Sequence, residues 1–283
     1  MPDKQVYRLA FQGAAGAYSQ LACIEFARKL ALEYSAFEPC DDFEGLLELA
    51  ARKSDCLAVL PLENSTIGSL KQNYALLWDS GLRIISEIKL PIHHHLLALE
   101  GVKIEDLKEV YSHPVALAQC KKLFIQHPHL KAVEYADTAL AAAYIRDNEL
   151  RDFAAIAGIQ AAAEYGLTVL EENVEDYSEN ATRFLLLAGE DLLETLLLPE
   201  HKGPRKIIVG FECRNMNQLF LLSSLFRESL ELCKLETLPI PDQAWNNRVF
   251  LESMLYVDEP RILSELKTVF PDSRVFGCYI AIN

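Results

Sequence analysis

Polar side chains follow three apolar segments of this 283-residue chain, and each polar group directly precedes a stretch with helical spacing. The three groups occupy residues 13–19, 63–68 and 112–114. In a parallel α/β sheet, the carboxyl ends of the strands and the amino ends of the helices share one edge, where ligands bind. Helix amino ends carry unpaired N–H groups and a partial positive charge. The pattern therefore predicts a site for a small anion such as a carboxylate or a phosphate.

Each motif by itself also has a simpler interpretation. The spacing Gly13-x-x-Gly16 is typical of a tight turn and matches neither a dinucleotide-binding fingerprint nor a P-loop. Residues 63–65 fit a turn with local caps, and residues 180–184 fit the start of a strand with a solvated arginine. Three consecutive histidines at 93–95 have no obvious acidic partner in the sequence, so packed histidines are favoured over a metal site.

The composition narrows the range of partners. The chain has 27 Lys and Arg against 41 Asp and Glu, a formal net charge of −14, which argues against nucleic acid and anionic membranes. A small anionic ligand needs only a few local donors and stays compatible with this charge. Seven cysteines without a CxxC pair, and a start without a basic segment followed by an apolar run, predict reduced thiols in a cytoplasmic protein.

Strand-like and helix-like segments alternate through the first 165 residues, which predicts an α/β fold with parallel sheets. The predicted strands cover residues 5–11, 56–60, 82–99 with an interruption at Pro91, 109–111, 130–135 and 153–157. The predicted helices cover residues 18–30, 43–53, a stretch ending near 78, 115–125, 139–148 and 158–165. Residues 41–42, both Asp, are an N-cap signal for the second helix.

A polar, proline-containing segment at residues 190–204 predicts a linker. Beyond it, the element order is βαββαβ, which is the ferredoxin-like unit. The predicted strands there are 206–211, 232–238, 248–257 and 275–282, and the predicted helices are 218–229 and 259–269.

Taken together, the motifs resemble the prephenate dehydratase family. They are FQGAAGAYS at 11–19, PLENSTIG at 61–68, SHPVALAQC at 112–120, AAIA at 154–157 with YGL at 165–167, and NATRF at 180–184. Their order and spacing match the family over residues 5 to about 190. The C-terminal unit corresponds in position to the family's ACT regulatory domain, although its motif match is poor.

The resemblance implies conversion of prephenate to phenylpyruvate, water and CO2 in phenylalanine biosynthesis. It also implies a catalytic domain at residues 1–190 with two lobes around a cleft, similar to periplasmic binding proteins. The expected lobes are 1–78 with 168–190, and 79–167, followed by an ACT-like domain at 205–283. The resemblance implies no metal or organic cofactor. It implies a homodimer or a homotetramer.

The resemblance also assigns roles to individual residues. Thr182 is expected to act on the leaving hydroxyl as a hydrogen-bond donor or proton relay. Glu63 is either a buried, protonated acid or a support for Asn64 and its turn, and the two roles stay open. Position 115 is Val where the family often has Gln. The other expected catalytic residues are Asn64, Ser112 and Gln119, and the expected substrate-binding residues are Gly13, Ser19, Ser65, Arg183 and Phe184.

The expected regulatory site departs from the family pattern. The family's Gly-Ala-Leu turn is Asn217-Gln218-Leu219 here, and its Glu-Ser-Arg-Pro segment is Glu236-Thr237-Leu238-Pro239. The larger Gln and the missing guanidinium favour weakened or altered phenylalanine feedback. If the ligand contacts are mostly made by the backbone, the changes matter little. A dimer is expected in either case, because an exposed apolar face on a small βαββαβ sheet is usually covered by a partner.

Two other functions remain open. An arogenate dehydratase would perform the same chemistry on the transaminated substrate, and the sequence does not separate the two. A non-catalytic small-molecule sensor could use the same two-lobed cleft. The joint presence of Thr182, Asn64 and Gln119 with the other expected catalytic residues favours the enzyme.

Overall fold

The computed structural model describes residues 5–196, 205–222, 230–256 and 259–282. Its strands are β1 (Val6–Gln12), β2 (Glu33–Cys40), β3 (Cys56–Asn64), β4 (Gly68–Ser69), β5 (Arg83–Pro91), β6 (His95–Ala98), β7 (Glu109–Ser112), β8 (Lys131–Glu134), β9 (Phe153–Ala157), β10 (Thr168–Glu171), β11 (Ala181–Ala188), β12 (Arg205–Cys213), β13 (Leu230–Pro239), β14 (Asn247–Leu255) and β15 (Arg274–Ile282). Its α-helices are α1 (Tyr18–Leu30), α2 (Phe43–Arg52), α3 (Lys71–Asp79), α4 (Pro114–Gln119), α5 (Lys121–Gln126), α6 (Thr138–Asp147), α7 (Ile159–Tyr165), α8 (Glu190–Leu193) and α9 (Glu259–Val269). Short 3-10 helices cover Ile104–Asp106 and Met216–Leu222. No helix among the described residues is long and apolar enough to span a membrane.

The first lobe is a mixed sheet, not the parallel sheet that the strand–helix alternation predicts. Its strand order is β5-β11-β3-β1-β2, with β1 parallel to both of its neighbours. Strand β11 runs antiparallel to β3 and β5, because the chain re-enters this sheet after building the second lobe. The start of β11 therefore lies beside the end of β3, at the edge that faces the second lobe.

The second lobe has a five-stranded sheet in the order β10-β6-β9-β7-β8, in which β6 is antiparallel to β9 and β10. The predicted boundaries between the lobes, 78 and 168, are wrong. Strand β5 belongs to the first sheet and β10 belongs to the second. The chain thus crosses between β5 and β6 and returns between β10 and β11. The apolar pattern of a buried strand can be read from the sequence, but the pattern does not show which of the two sheets the strand joins.

Strand β2 was not predicted from the sequence. Five of its eight residues are exposed and the other three are half-buried, because β2 pairs only with β1 at the edge of the sheet. An edge strand of this kind carries no apolar alternation that a pattern search could detect. The predicted helix 115–125 is divided at Cys120 into α4 and α5.

The C-terminal unit confirms the ferredoxin-like prediction. Its sheet has the order β13-β14-β12-β15 with antiparallel pairs throughout, and α9 packs on one face through Ile262 and Leu266. Of the predicted helix 218–229, residues up to 222 form a 3-10 helix and residues 223–229 lie outside the described residues. Within the predicted linker, 190–193 form α8, and 197–204 lie outside the described residues.

The other face of the C-terminal sheet is covered by the first lobe. Trp78 of α3 packs against Phe250 and Phe276, with ring centroids 5.3 and 5.6 Å away. Strand β15 also pairs with β5, which joins the two sheets into one. The apolar face that was expected to need a partner subunit is therefore covered within the chain, so this reason for a dimer does not hold.

Candidate active site

A cavity of about 250 Å³ lies in the cleft between the two lobes, at the sheet edges that the sequence pattern predicts. The amino ends of three helices reach it: α1 through Ala17 and Tyr18, α4 through His113, and α6 through Asp137 and Thr138. Two of these starts are favoured locally, α4 by Pro114 in its first turn and α6 by its capping aspartate. No Lys or Arg lines the cavity within the described ranges. Any carboxylate here is thus held by helix ends and neutral donors.

Thr182 is positioned in this cavity by two asparagines. The Asn64 side chain donates from Nδ2 to the Thr182 hydroxyl oxygen at 3.0 Å and to Asn180 Oδ1 at 2.8 Å. Asn64 Oδ1 in turn accepts from the Thr66 hydroxyl at 2.7 Å and from its amide at 2.9 Å. Asn64 is a donor toward Thr182, so the Thr182 proton is not used in this bond. The hydroxyl can therefore donate into the cleft.

Gln119 ties the second lobe to this network. Its Nε2 donates to the Thr66 hydroxyl at 2.5 Å, and its Oε1 accepts from Asn180 Nδ2 at 3.1 Å. The same oxygen lies 3.0 Å from His94 Nε2, which must donate because an amide oxygen only accepts. These bonds place residues from β3, α4 and the segment before β11 in one connected group.

His94 and Tyr18 form the wall next to this network. The Tyr18 hydroxyl lies 2.5 Å from the His93 carbonyl oxygen and 3.1 Å from His94 Nδ1. Burial lowers the pKa of His94, outweighing the opposing effect of the hydrogen bond to Gln119. Burial also raises the pKa of Tyr18 well above its usual value. Both side chains are therefore neutral near pH 7 and act there as hydrogen-bonding groups.

Glu63 and Arg183 lie on the opposite face of the sheet and do not line the cleft cavity, so a direct role there gains no support, while the alternative role of Glu63 as a support for Asn64 and its turn stays a prediction. Glu63 Oε1 lies 2.6 Å from Lys234 Nζ of the C-terminal unit, and its Oε2 lies 3.8 Å from Arg183 Nε. The Arg183 guanidinium binds the Glu252 carboxylate through contacts of 2.6 and 2.7 Å. Successive residues of a strand point to opposite faces, so Arg183 points away from the face that Thr182 occupies.

A larger cavity of about 810 Å³ lies on that opposite face, between the first lobe and the C-terminal sheet. Several of its charged side chains are paired with one another: Lys206 Nζ contacts Glu87 at 3.0 Å and Glu252 at 3.2 Å. Burial would raise the pKa of Glu252, but Arg183 and Lys206 outweigh it and lower the pKa to about 2. These charges connect the domains, and five of the predicted site residues line the smaller cleft instead.

The remaining predicted residues divide between the cleft and its supports. Ser19, Phe184, Asn64, Gln119 and Thr182 line the cleft cavity. Three others do not, and their expected direct roles are not supported.

Ser112 is fully buried and donates to the Ile156 carbonyl at 2.6 Å, which fastens β7 to β9. Ser65 donates to the Glu179 carbonyl at 3.0 Å and accepts from the Ala181 amide, so it holds the start of β11. Gly13 forms the turn after β1 at a φ of 112°, a backbone conformation that favours glycine.

Sequence reasoning missed several residues of the cleft. The sequence marks Tyr18 and Thr66 only as members of motifs, Asp137 only as part of a helix start, and His94 only as one of three packed histidines. His93 has an acidic partner after all, since its Nδ1 lies 2.8 Å from Glu175 Oε1. The interruption of the predicted strand 82–99 at Pro91, where β5 ends, was the signal that could have placed His94 near a strand end. Among the described residues, no group of three or more His, Cys, Asp or Glu side chains is arranged to hold a metal.

The predicted regulatory residues fall on two elements of the C-terminal unit. Asn217, Gln218 and Leu219 lie in the 3-10 helix after β12. In β13, the Glu236 carboxylate accepts a hydrogen bond from Ser69 of the first lobe, and the Leu238 side chain is buried in the shared core. Thr237 and Pro239 are the alternate residues of the same strand. Part of the expected effector segment therefore contacts the catalytic lobe directly.

The fold and the cleft define a class of protein: a two-lobed α/β protein whose cleft is lined by helix amino ends and neutral hydrogen-bonding side chains. The family model described as prephenate dehydratase matches residues 9–192. The chain belongs to this family.

Individual relatives are consistent with this family membership. The chain is 39% identical to arogenate dehydratase 1 of Petunia hybrida over 271 residues, which cover 92% of this chain and 61% of that protein. This chain thus spans about three fifths of the length of that curated relative. A solved prephenate dehydratase from Arthrobacter aurescens in complex with L-Phe is 26% identical, with a TM-score of 0.82, covering 96% of this chain and 89% of that one. The structure of GqqA, described as a novel type of quorum quenching acylase, is 28% identical, with a TM-score of 0.83, covering 97% and 98%.

Proposed function

We propose that this chain is a carbon–oxygen lyase that converts prephenate, or its amino counterpart arogenate, to an aromatic product with loss of CO2 and water. Thr182 carries this proposal, because its hydroxyl is held by Asn64 with the proton free for the cleft. Family membership and the 39% identity to a petunia arogenate dehydratase support it. In the cell, the product would serve phenylalanine biosynthesis in the cytoplasm.

The reaction needs little from the protein beyond orientation and one well-placed donor. As the ring carboxylate leaves as CO2, the electron pair of its C–C bond moves into the ring and the C–O bond to the ring hydroxyl breaks. A proton must reach that hydroxyl so that it leaves as water. A donor aimed at the developing charge in a dry site stabilises the transition state. Thr182 is that donor in the proposed mechanism, and it can pass on a proton from solvent.

The cleft suits a substrate that must lose one of its carboxylates. Helix ends and neutral donors hold carboxylates by oriented dipoles, without a salt bridge that would have to be broken when CO2 forms. Phe184, buried and lining the cavity beside Thr182, offers a ring surface for the cyclohexadiene. The neutral His94 adds no cationic charge that would trap the departing group.

The test is turnover of each substrate by the full chain. Phenylpyruvate is measured from prephenate and phenylalanine from arogenate, and turnover of at least one is expected. Thr182→Val should lower kcat by about 10²–10³-fold with little change in substrate binding, the loss typical of removing one key donor. Thr168→Val, at an exposed threonine of β10, is the matched control and should leave kcat unchanged. Absence of turnover with both substrates, with binding retained, would instead indicate a small-molecule sensor.

We further propose that the C-terminal unit is an ACT-type domain that responds weakly to phenylalanine, in a homodimer or homotetramer. Its ferredoxin-like topology supports the first part, and the L-Phe complex of the Arthrobacter aurescens protein supports the choice of effector. Leu238, where the family has arginine, is buried against the first lobe and offers a ligand no charge. Calorimetric titration with phenylalanine should show weak binding, and micromolar binding with strong inhibition would contradict the proposal. Light scattering would give the oligomeric state.

A further inference from the structure

The Asp137 carboxylate lines the cleft cavity, and only one of its two oxygens accepts hydrogen bonds from the described residues. Asp137 caps helix α6 through Oδ1 alone, which accepts from the amides of Ala139 at 2.7 Å and Leu140 at 3.1 Å. Its Oδ2 accepts no hydrogen bond from the described residues, and no ion pair joins Asp137 to a described Lys or Arg. This oxygen faces the first lobe, because a Cβ at position 13 would lie 3.7 Å from it.

The surroundings make this charge unusual. Asp137 is the only Asp, Glu, Lys or Arg that lines the cleft cavity within the described part of the chain. The substrates of the proposed reaction are carboxylates, so an unpaired anionic side chain beside them is unfavourable unless a cation pairs with it. No described Lys or Arg lines the cavity, so the cation that pairs with Asp137 must come from the substrate.

The two candidate substrates differ at one point. Each has a ring hydroxyl at one end of the ring and, at the opposite end, a ring carboxylate and a three-carbon side chain. Arogenate carries an α-ammonium on that side chain, where prephenate carries a keto oxygen. Thr182 belongs to the first lobe and Asp137 to the second. Both residues line the same cavity, so a ring that places its hydroxyl at Thr182 can place its side chain at the wall that holds Asp137.

We propose that Asp137 Oδ2 binds the α-ammonium of arogenate and makes this chain prefer arogenate over prephenate. The inference rests on the proposed dehydratase function and adds the choice of substrate to it. The arogenate ammonium donates to Oδ2 and pairs with its charge, and arogenate brings a net charge of −1 into the cleft where prephenate brings −2. The keto group of prephenate offers only an acceptor to the same oxygen, so neither group finds a partner.

The test is Asp137→Asn, measured with both substrates. Asparagine caps a helix about as well as aspartate, so the start of α6 is kept while the charge is removed. The value of kcat/KM for arogenate should fall by about 10- to 100-fold, the range for a hydrogen bond to a charged group, while that for prephenate is unchanged or rises. Asp42→Asn is the matched control. Asp42 caps α2 in the same way, accepting from the Gly45 amide at 2.7 Å, and it does not line the cavity.

The outcomes separate the two proposals. If the wild-type chain turns over prephenate but discriminates against arogenate, the dehydratase function stands and the ammonium site is refuted. An equal loss for both substrates in Asp137→Asn would show a structural role only, and this also refutes the site. If neither substrate is turned over by the wild-type chain, the proposed function fails and the inference fails with it.

Discussion

The buried ion pair between Arg183 and Glu252 links the strand that carries Thr182 to the C-terminal unit, and its removal gives the sharpest prediction. Glu252 has no exposed surface, and Arg183 retains 7% exposure. Two guanidinium contacts of 2.6 and 2.7 Å join them, and the Tyr74 hydroxyl donates to Glu252 at 3.0 Å. Lys206 is a further cation, 3.2 Å from the same carboxylate. Replacing either member of the pair removes the closest partner of the other charge in this low-dielectric site.

The expected magnitude follows from that geometry. Breaking a buried pair from one side costs about 3–5 kcal/mol of unfolding free energy. Arg183→Met should lie at the low end, near 3 kcal/mol, because Lys206 still pairs with Glu252. Glu252→Gln should cost a similar amount. The double variant should lose less than the sum of the single losses, with a coupling of about 1–3 kcal/mol, because neither charge is then left alone.

Urea unfolding followed by tryptophan fluorescence measures these losses. Trp78 packs at the junction against Phe250, whereas Trp245 is 92% exposed and adds only a background signal. The same variants are assayed for KM, which separates this reading from the substrate-binding role that the resemblance implies for Arg183. Both single variants should change KM to the same extent. Strictly additive losses, or a large rise in KM confined to Arg183→Met, would refute the structural assignment.

Three other predictions concern the same framework. The pKa of Glu252 is lowered from 4.5 to about 2, so its ionised carboxylate stabilises the fold fully above pH 4.5 and progressively less as the pH falls toward 2. The urea midpoints at pH 3 and pH 7 should therefore differ less in Glu252→Gln than in the wild type. Gly210→Ala should lower the unfolding free energy by about 1–3 kcal/mol, because its Cβ would lie 2.4 Å from the Phe276 ring; a thermal scan that matches the wild type would contradict this. Gly16→Ala should lower kcat/KM as well as stability, because its Cβ would lie 2.9 Å from Ala161 Cα across the cleft. Its control is Gly81→Ala, which has a similar positive φ, 70° against 81°, and no atom within 4 Å, so equal effects would exclude a clash between the lobes.

Local sequence determined much of this protein. Helix α1 covers the predicted residues 18–30 and α9 the predicted 259–269, because their apolar spacing is regular. The Asp42 side chain caps α2 as its position suggests. The ferredoxin-like order of the C-terminal unit could be read from the alternation of its strands and helices, and the motifs indicated the sheet edge at which the cleft cavity lies. Each of these features depends on neighbours in the chain.

The faces of the central strands were decided only by the tertiary structure. Thr182 pairs with Asn64 and Arg183 with Glu63, but Phe184 pairs with Pro61, so one residue of β3 is skipped. Strand periodicity shows that Thr182 and Arg183 point opposite ways, but not which of them meets the cleft.

That choice depends on β11 returning antiparallel beside β3 and on a C-terminal sheet that supplies Glu252 and Lys234 to the far face. These partners lie 69 and 171 residues away from Arg183 and Glu63. The motifs therefore grouped Glu63 with Asn64 and Arg183 with Thr182. The packing of distant strands separated them: Asn64 and Thr182 face the cleft, and Glu63 and Arg183 face the junction between the domains.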